Sequence, residues 1–289
     1  MITTGYPEFA YKKLEKEYGA RAAAIASAKS GGVSVRFLPP YETEGAYLRR
    51  AEEKNVRVAA APFAHSYVFE SFIRDGGYDN GEYTFQSVGS QAICACVKPC
   101  GKLLDACAAP GTKSISAALE MEDRGEIVAC ELHKNRLPLI EKSAARQGVT
   151  IIRAVCRDSS APWEGEKFDC VLCDVPCSGY GAVRRKPEIR YREPAESADL
   201  PALQKAILSA SAEALRAGGT LVYSTCTVLP RENEEVVGAF LEGNPDFRAD
   251  PFTLPDGTFA PNGMLTLTPD MPLGTDGFFI CRLVKSDIV

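Results

Sequence analysis

Residues 103–113, Leu-Leu-Asp-Ala-Cys-Ala-Ala-Pro-Gly-Thr-Lys, decide the predicted fold of this chain. Two apolar residues lead into Asp105, small residues and Pro-Gly follow, and residues 114–120 continue as Ser-Ile-Ser-Ala-Ala-Leu-Glu. The pattern predicts a buried strand, a tight turn and the start of a helix. Such a turn presents backbone N–H groups above the strand end, where an anionic or polar ligand group can bind. It is neither Gly-x-Gly-x-x-Gly nor a Walker loop, so a dinucleotide or phosphate site fits poorly.

Strands and helices alternate regularly around this turn. The predicted strands cover residues 102–106, 126–131, 149–155, 168–174, 220–224 and 278–284, and the predicted helices cover 92–97, 112–121, 134–147, 200–215 and 232–241. This alternation indicates an α/β fold with a mostly parallel, doubly wound sheet. Ligands of such sheets bind beyond the carboxyl ends of the strands, so the reactive groups should follow the strands directly.

The first 76 residues are predicted to form a separate small α+β unit. We expect a helix over residues 8–30, a strand over 33–38, a helix over 43–54 capped by Thr43, and a strand over 56–61. Residues 75–81, Asp-Gly-Gly-Tyr-Asp-Asn-Gly, are a run of turn formers that marks the boundary. The predicted domains are therefore 1–76 and 77–289.

Composition restricts the class of protein. The 289 residues are 45% hydrophobic and 25% charged, which is ordinary for one or two globular domains. No apolar run approaches the roughly 18 to 20 residues of a membrane span, and the N-terminus does not resemble a signal peptide. Eleven irregularly spaced cysteines predict reduced thiols in a cytoplasmic protein. The net charge of −5 argues mildly against a nucleic-acid partner, unless basic residues cluster locally.

Acidic residues follow the first three strands of the predicted sheet. Asp105 ends the first strand, and Glu131 ends the second, 26 residues later. An acid at the end of a second strand commonly accepts hydrogen bonds from ribose hydroxyls. Asp158 follows the third strand, at a position that reaches the adenine edge in nucleoside sites. The alternative for each is a helix-capping or surface carboxylate.

Two cysteines and a carboxylate follow the next two strands. Asp174-Val-Pro-Cys177 ends the fourth strand, and Thr225-Cys226 ends the fifth. A deprotonated cysteine is the best side-chain nucleophile near neutral pH. A Cys–His hydrolase is poorly supported, because the only histidines, His65 and His133, do not follow these strands. A zinc site is also poorly supported, since the odd spacing of Cys170 and Cys173 on a strand directs them to opposite faces. Eight other cysteines are predicted to be buried small hydrophobes: Cys94, Cys96, Cys107, Cys130, Cys156, Cys170, Cys173 and Cys281.

A basic loop follows Cys177. Residues 184–192 contain five positive charges and one negative charge, with Tyr191 among them. This composition suits a phosphate backbone better than an acidic small substrate. The alternative is an ordinary solvated loop. The basic residues predicted to contact RNA are Arg184, Arg185, Lys186 and Arg190.

Together these motifs resemble the RNA cytosine-C5 methyltransferases that use S-adenosylmethionine. The resemblance rests on residues 105–113, on Asp174-Val-Pro-Cys-Ser-Gly179 and on Ser224-Thr-Cys226. Further matches are Arg184-Arg-Lys-Pro-Glu-Ile189, Asp276-Gly-Phe-Phe279 and the segment Gln86 to Gln91. The resemblance covers residues 80–289 and is greatest to bacterial enzymes of 16S ribosomal RNA. In those enzymes a small RNA-recognition-like module precedes a Rossmann-like class I catalytic domain, and residues 1–76 are similar in size to that module.

The resemblance implies a role for each motif. Cys226 would be the nucleophile that adds to cytosine C6, Cys177 would act in product release, and Asp174 would orient the base and stabilise charge. The implied S-adenosylmethionine site comprises Cys107, Ala108, Ala109, Pro110, Gly111, Thr112, Lys113, Glu131, Arg136, Asp158 and Asp174. From the residues alone the two cysteines cannot be ranked, because DNA cytosine-C5 methyltransferases carry their nucleophile in a Pro-Cys context. The family's Thr-Cys motif assigns the nucleophile to Cys226. Thr112 stands where the family usually has glycine, which puts the cofactor turn in question.

The implied protein is a monomeric enzyme that acts on RNA. Two other enzyme classes remain open: a methyltransferase of transfer RNA, and one of DNA or a small molecule. A third alternative is a non-catalytic RNA-binding factor of ribosome assembly on a degenerate methyltransferase fold. Degeneration should first remove a cysteine or a cofactor acid, yet Cys177, Cys226, Asp105, Glu131 and Asp174 are all present.

Overall fold

A computed structural model describes residues 6–28, 32–191, 198–271, 273 and 275–287. The α-helices are α1 (Glu8–Tyr18), α2 (Ala22–Ser27), α3 (Glu44–Glu53), α4 (Val88–Val97), α5 (Thr112–Glu120), α6 (Leu137–Arg146), α7 (Leu200–Ala214) and α8 (Glu234–Gly243). The strands are β1 (Val33–Phe37), β2 (Val58–Ala60), β3 (Ser66–Phe69), β4 (Tyr83–Phe85), β5 (Lys102–Asp105), β6 (Glu126–Glu131), β7 (Ile152–Cys156), β8 (Phe168–Asp174), β9 (Leu215–Thr225), β10 (Phe247–Ala249), β11 (Phe252–Thr253), β12 (Phe259–Ala260), β13 (Met264–Leu267) and β14 (Phe278–Lys285). Short 3-10 turns cover Gly19–Arg21, Lys134–Arg136, Pro187–Tyr191 and Pro230–Glu232.

The larger sheet has the strand order β10-β14-β9-β8-β5-β6-β7, with β13 also paired to β14. Strands β9, β8, β5, β6 and β7 are parallel, and β14 runs antiparallel to β9. One apolar core on this sheet includes side chains of α7 and α8, and a second includes side chains of α4 and α5. Cys173 lies in the first core and Cys170 in the second, as the strand spacing predicted. The predicted doubly wound α/β fold is confirmed.

The parallel strands bring their carboxyl ends to one edge of the sheet. Asp105 pairs with Leu172 and Ala129, and Asp174 pairs with Ser224. Strands β6 and β8 have the predicted bounds. Strand β9 begins at Leu215, earlier than predicted, and the short strands β10 and β13 were not predicted. These two are only three or four residues long and depend on pairing with β14, a contact that no local pattern shows.

The smaller sheet lies in the N-terminal part and has the order β2-β3-β1-β4. Its core contains Val35, Phe37, Phe69 and Tyr83 from the strands, with Tyr47 from α3. Thr43 precedes α3 as predicted, although its side chain makes no capping hydrogen bond. Strands β3 and β4 were not predicted, and β4 lies beyond the expected boundary at residue 76, so the small sheet is completed by residues assigned to the second domain.

The first helix is shorter than predicted and packs on the larger domain. The expected helix over 8–30 is interrupted at Gly19, which has φ +52°, and residues 29 and 30 lie outside the described part. The Tyr6 hydroxyl donates to Tyr180 O at 3.1 Å, and the Tyr18 hydroxyl donates to Val228 O at 2.8 Å. Tyr180 and Val228 follow the segments that contain Cys177 and Cys226. Helical periodicity identified the apolar face of this segment but not the surface that covers it.

Among the described residues, no helix is both long enough and apolar enough to cross a bilayer.

Candidate active site

The turn between β5 and α5 is built on a buried carboxylate. Asp105 accepts hydrogen bonds from Ser114 Oγ at 2.5 Å and from the backbone N–H of Cys107 at 3.3 Å. Burial raises the pKa of Asp105 to about 6, against the opposing hydrogen bond from Ser114. Ala108 N donates to Cys130 O at 2.8 Å, which fastens the turn to the end of β6. The carboxylate therefore has a structural position beneath the turn.

The residue that requires glycine in this turn is Gly111. It has φ +101°, and a Cβ there would lie 3.2 Å from the Cα atom of Ile140. Thr112 is the first residue of α5 and does not have a positive φ. The departure at Thr112 therefore falls at a helical position that accepts a side chain, and it does not strain the turn.

Glu131 and Arg136 form a pair beside this turn. Glu131 is 5% exposed. It accepts a hydrogen bond from His133 N at 2.9 Å. It also forms an ion pair with Arg136, whose Nη1 atom is 3.1 Å from Glu131 Oε2. Arg136 also donates to Ala109 O at 3.3 Å. Arg136 thus connects the carboxylate at the end of β6 to the turn after β5.

A cleft of about 640 Å³ opens at this edge of the sheet. The predicted residues that line it are Cys107, Ala109, Glu131, Arg136, Asp158, Asp174, Cys177, Lys186 and Cys226. Other predicted turn residues lie outside that lining: Ala108, Pro110, Gly111, Thr112 and Lys113. Hydrogen bonds from the hydroxyl and backbone N–H of Ser160 lower the pKa of Asp158. The structure therefore brings Glu131, Asp158, Asp174 and both cysteines to one cavity, whereas Asp105 is outside its lining.

Asp174 is held from two sides at the end of β8. Its Oδ2 atom accepts from Lys113 Nζ at 2.6 Å, and its Oδ1 atom accepts from Ser224 Oγ at 2.6 Å. Burial alone would lower the pKa of Lys113, but the Asp174 carboxylate outweighs it and the pKa is raised. Lys113 belongs to the first turn of α5, so this pair joins the turn between β5 and α5 to the end of the cleft that contains the cysteines.

The two predicted cysteines are in direct contact. The sulfur atoms of Cys177 and Cys226 are 3.2 Å apart, and the backbone N–H of Cys226 donates to Cys177 Sγ at 3.3 Å. The hydrogen bond from Cys177 lowers the pKa of Cys226 against the effect of burial, and the charges of Lys113 and Lys186 act in the same direction as that hydrogen bond. The same hydrogen bond, together with burial, raises the pKa of Cys177. The arrangement favours a thiolate on Cys226 and a thiol on Cys177.

The basic loop divides into residues with different surroundings. Arg184 donates to Thr275 O at 2.7 Å and to Asp276 at 3.3 Å, and Arg185 pairs with the same carboxylate at 2.6 Å. Lys186 lines the cleft. The side chain of Arg190 and all of Arg192 lie outside the described part. Arg184 and Arg185, two of the predicted RNA contacts, are therefore engaged with Asp276. Among the predicted contacts whose side chains are described, Lys186 reaches the cavity.

The remaining cysteines are mostly packing residues. All eleven are free. Cys94, Cys96, Cys130, Cys170, Cys173 and Cys281 are buried as predicted. The prediction for Cys156 is wrong: its strand is the edge of the sheet, and the side chain is exposed. Cys107 is half-buried in the cleft wall. Within the described ranges, no cluster of three or more His, Cys, Asp or Glu residues could hold a metal ion.

Comparison with known proteins identifies the family. The model of the family described as 16S rRNA methyltransferase RsmB/F matches residues 96–284. The chain belongs to this family. It is 34% identical to the "Probable ribosomal RNA small subunit methyltransferase B" of Bacillus subtilis, over 98% of this chain and 67% of that protein. It is 30% identical to the ribosomal RNA small subunit methyltransferase B of Xanthomonas campestris, again over 98% of this chain and 67% of that protein. The chain thus spans about two thirds of these relatives.

Solved structures agree with the RsmB/F assignment. A methyltransferase homolog from Pyrococcus horikoshii has a TM-score of 0.80 and 25% identity, and the match covers 98% of this chain and 96% of that one. NSun6 from Pyrococcus horikoshii has a TM-score of 0.83 at 19% identity, covering 99% and 100% of the two chains, which supports the fold alone. The resemblance to S-adenosylmethionine-dependent RNA methyltransferases is confirmed at the level of the family, its fold and its cofactor class.

The cleft of this RsmB/F family member fits S-adenosylmethionine. Glu131 and Asp158 line the cleft with carboxylates that could accept hydrogen bonds from the hydroxyl and amino groups of a nucleoside, and Leu132 adds apolar surface to the same lining. Asp174 adds a further carboxylate to this lining, paired with Lys113. The sequence did not predict that Leu132 lines the cleft. The same is true of Leu203 and Ile207 of α7. The i, i+4 spacing of the last two was visible, but not that their shared face borders the cavity.

Proposed function

We propose that this chain transfers the methyl group of S-adenosylmethionine to C5 of a cytosine in 16S ribosomal RNA, through a covalent bond between Cys226 and C6 of the base. The observation that carries the proposal is the contact between Cys177 and Cys226 beside Asp174 in the cofactor cleft. The relatives named ribosomal RNA small subunit methyltransferase B support the choice of RNA. We also propose that residues 1–76, whose small sheet is completed by β4, form an RNA-binding module.

Cytosine C5 is a poor nucleophile, so the chain must activate it. Bound S-adenosylmethionine would supply an electrophilic methyl group. The Cys226 thiolate adds to C6, the C6–S bond forms, and the electron pair of the C5–C6 double bond becomes available at C5. Asp174, fixed by Lys113 and Ser224, accepts a hydrogen bond from the amino group of the cytosine and so orients it. The Lys113 ammonium beside Asp174 offsets the negative charge that the addition places on the cytosine. The base must be unpaired or flipped out to enter the cleft.

Release reverses the covalent step. A proton acceptor removes the proton from C5. The C5–C6 double bond then forms again, and the C6–S bond breaks with its electron pair on sulfur. The Cys177 thiol lies 3.2 Å from that sulfur and can donate a hydrogen bond to the departing thiolate. We therefore place Cys177 in the release step, where a neutral thiol is the useful form.

Two cysteine variants test these roles. We expect Cys226→Ala to abolish methyl transfer, and Cys177→Ala to accumulate a protein–RNA adduct that survives denaturing gels. Cys156→Ala, which removes an exposed cysteine from the sheet edge, should behave as wild type. An adduct in Cys226→Ala and none in Cys177→Ala would reverse the two roles.

The RNA is tested separately from the chemistry. Labelled methyl transfer to free 16S RNA, to small subunits and to transfer RNA identifies the substrate, and bisulfite sequencing locates the cytosine. Strong labelling of transfer RNA alone would overturn the 16S proposal. A non-catalytic assembly factor would bind RNA but show no calorimetric binding of S-adenosylmethionine. Replacement of Lys186 by Ala should weaken RNA binding more at low than at high salt, because its charge acts on phosphate.

A further inference from the structure

The turn that contains Cys177 is held on both sides by buried side chains behind the cleft. Gln204 Nε2 donates to Pro176 O at 3.0 Å and to Glu232 Oε2 at 3.1 Å. The same Glu232 oxygen accepts the backbone N–H of Ser178 at 2.8 Å. The residues directly before and directly after Cys177 are thus fixed by one glutamine and one glutamate.

The turn that contains Cys226 is held in the same manner by Asn233, the residue that follows Glu232. Thr225 Oγ1 donates to Asn233 Oδ1 at 2.6 Å, and Asn233 Nδ2 donates to Thr227 O at 3.1 Å. The hydroxyl of Ser178 donates to that of Thr227 at 3.1 Å, which joins the two turns. Adjacent residues, Glu232 and Asn233, therefore each bracket a different cysteine.

The choice of a carboxylate at position 232 is costly for folding. Glu232 is 0% exposed. Within the described residues its Oε1 atom has no hydrogen-bond partner. It forms a long ion pair with Arg231, whose Nη2 atom is 3.9 Å from Oε1. A buried charge with incomplete partners destabilises a fold, and a neutral side chain of equal size would avoid that cost. The charge has a local effect, since Glu232 raises the pKa of Cys177 in addition to the larger effects of Cys226 and burial.

We propose that Glu232 and Asn233 are positioning residues with separate tasks: Asn233 places Cys226 for attack on the base, and Glu232, with Gln204, places Cys177 and keeps it a neutral thiol for release. This inference rests on the proposed function, because the two tasks are the steps assigned there to the two cysteines. A side chain that holds a reacting group in place can affect a rate by about a hundredfold for a displacement of about 1 Å.

The first experiment needs no RNA. The full chain is treated with iodoacetamide across a pH series, and mass spectrometry follows alkylation of Cys177 and Cys226 separately. Glu232→Gln preserves an oxygen acceptor for Ser178 and removes the charge, so the midpoint for Cys177 should move to lower pH, and by more than the midpoint for Cys226, with which it shares a hydrogen bond. Asn233→Ala should alter the Cys226 rate and shift the Cys177 midpoint less than Glu232→Gln does. Glu235→Ala, an exposed glutamate of α8, is the matched control.

The second experiment follows the adduct with RNA and S-adenosylmethionine. Glu232→Ala should form the adduct and release it about ten to a hundred times more slowly, whereas Asn233→Ala should slow its formation. Glu232→Gln keeps the bracket and should release the adduct faster than Glu232→Ala. Calorimetric binding of S-adenosylmethionine by each variant verifies that it is folded.

Two results would overturn the assignment. One is that Glu232→Ala and Asn233→Ala slow formation and release equally. The other is that Glu232→Gln leaves the alkylation midpoint of Cys177 unchanged. If the wild-type chain methylates no RNA, the proposed function fails, and the alkylation experiment still decides whether Glu232 and Asn233 act on different cysteines.

Discussion

Replacement of Lys113 by Met should reveal how much the pair with Asp174 contributes. The two charges are 2.6 Å apart, and the side chains are 17% and 26% exposed. At an effective dielectric constant of about 20 their gross attraction is about 6 kcal/mol, most of which offsets desolvation. Removal of one partner from a buried pair costs about 3–5 kcal/mol, and the residual solvent contact here favours the lower value, about 3 kcal/mol. The pH dependence of activity should change as well, because loss of Lys113 raises the pKa of Cys226, so the thiolate forms only at higher pH.

The assay combines urea unfolding with a pH profile of methyl transfer. Lys102→Met is the matched control: Lys102 is 45% exposed and pairs with Glu126 and Glu166. An exposed pair of this kind contributes about 1 kcal/mol or less. A double variant, Lys113→Met with Asp174→Asn, leaves no charge unpaired and should unfold at a higher urea concentration than Lys113→Met alone.

Equal losses in the free energy of unfolding for Lys113→Met and Lys102→Met would contradict a strong buried pair. A pH profile of methyl transfer that is the same in Lys113→Met as in the wild type would contradict the effect of Lys113 on the pKa of Cys226.

Three further variants test the turn between β5 and α5 and the carboxylate at the end of β6. The folded-state pKa of Asp105, about 6, lies above its unfolded value, so the folded chain binds the extra proton. The free energy of unfolding of the wild type, relative to that of Asp105→Asn, should therefore fall by roughly 3 kcal/mol as pH rises from about 4 to about 6. Urea unfolding measures this difference, and a difference that stays constant with pH would contradict the prediction. Gly111→Ala places a Cβ against Ile140 at a positive φ and should cost about 1–3 kcal/mol, and an unchanged melting curve would argue against strain. Glu131→Gln should weaken calorimetric binding of S-adenosylmethionine about tenfold, whereas undiminished affinity would remove Glu131 from the site.

The central sheet could be predicted because its strands are buried and locally distinct. Strands β6 and β8 are apolar runs that end in an acid, and each acid was expected at the ligand edge. Strands β3 and β4 were missed because their stability comes from pairing with β1, which is distant in sequence. Local pattern identifies an apolar segment, but a short strand depends on partners that the pattern does not contain.

The candidate site was partly visible for the same reason. Asp174, Cys177 and Cys226 follow strands, and topology alone brings them together. The pairing of Arg184 with Asp276 was not visible, because 92 residues separate them. Glu232 was hidden among neighbouring glutamates, where a run of charge normally indicates a solvated helix face. Burial of one member of such a run can be recognised only from the packed structure.

The contacts of α1 determine when the reactive segments gain their support during synthesis. Tyr6 and Tyr18 are synthesised early. Their hydrogen-bond partners, Tyr180 and Val228, lie 174 and 210 residues later in the chain. At about 5–20 residues per second, the helix precedes Val228 by roughly 10 to 40 seconds. The segment after Cys226 cannot reach Tyr18 until translation has passed Val228. The first helix therefore waits for its partner until β9 has been made, and its docking can only follow synthesis of both cysteine segments.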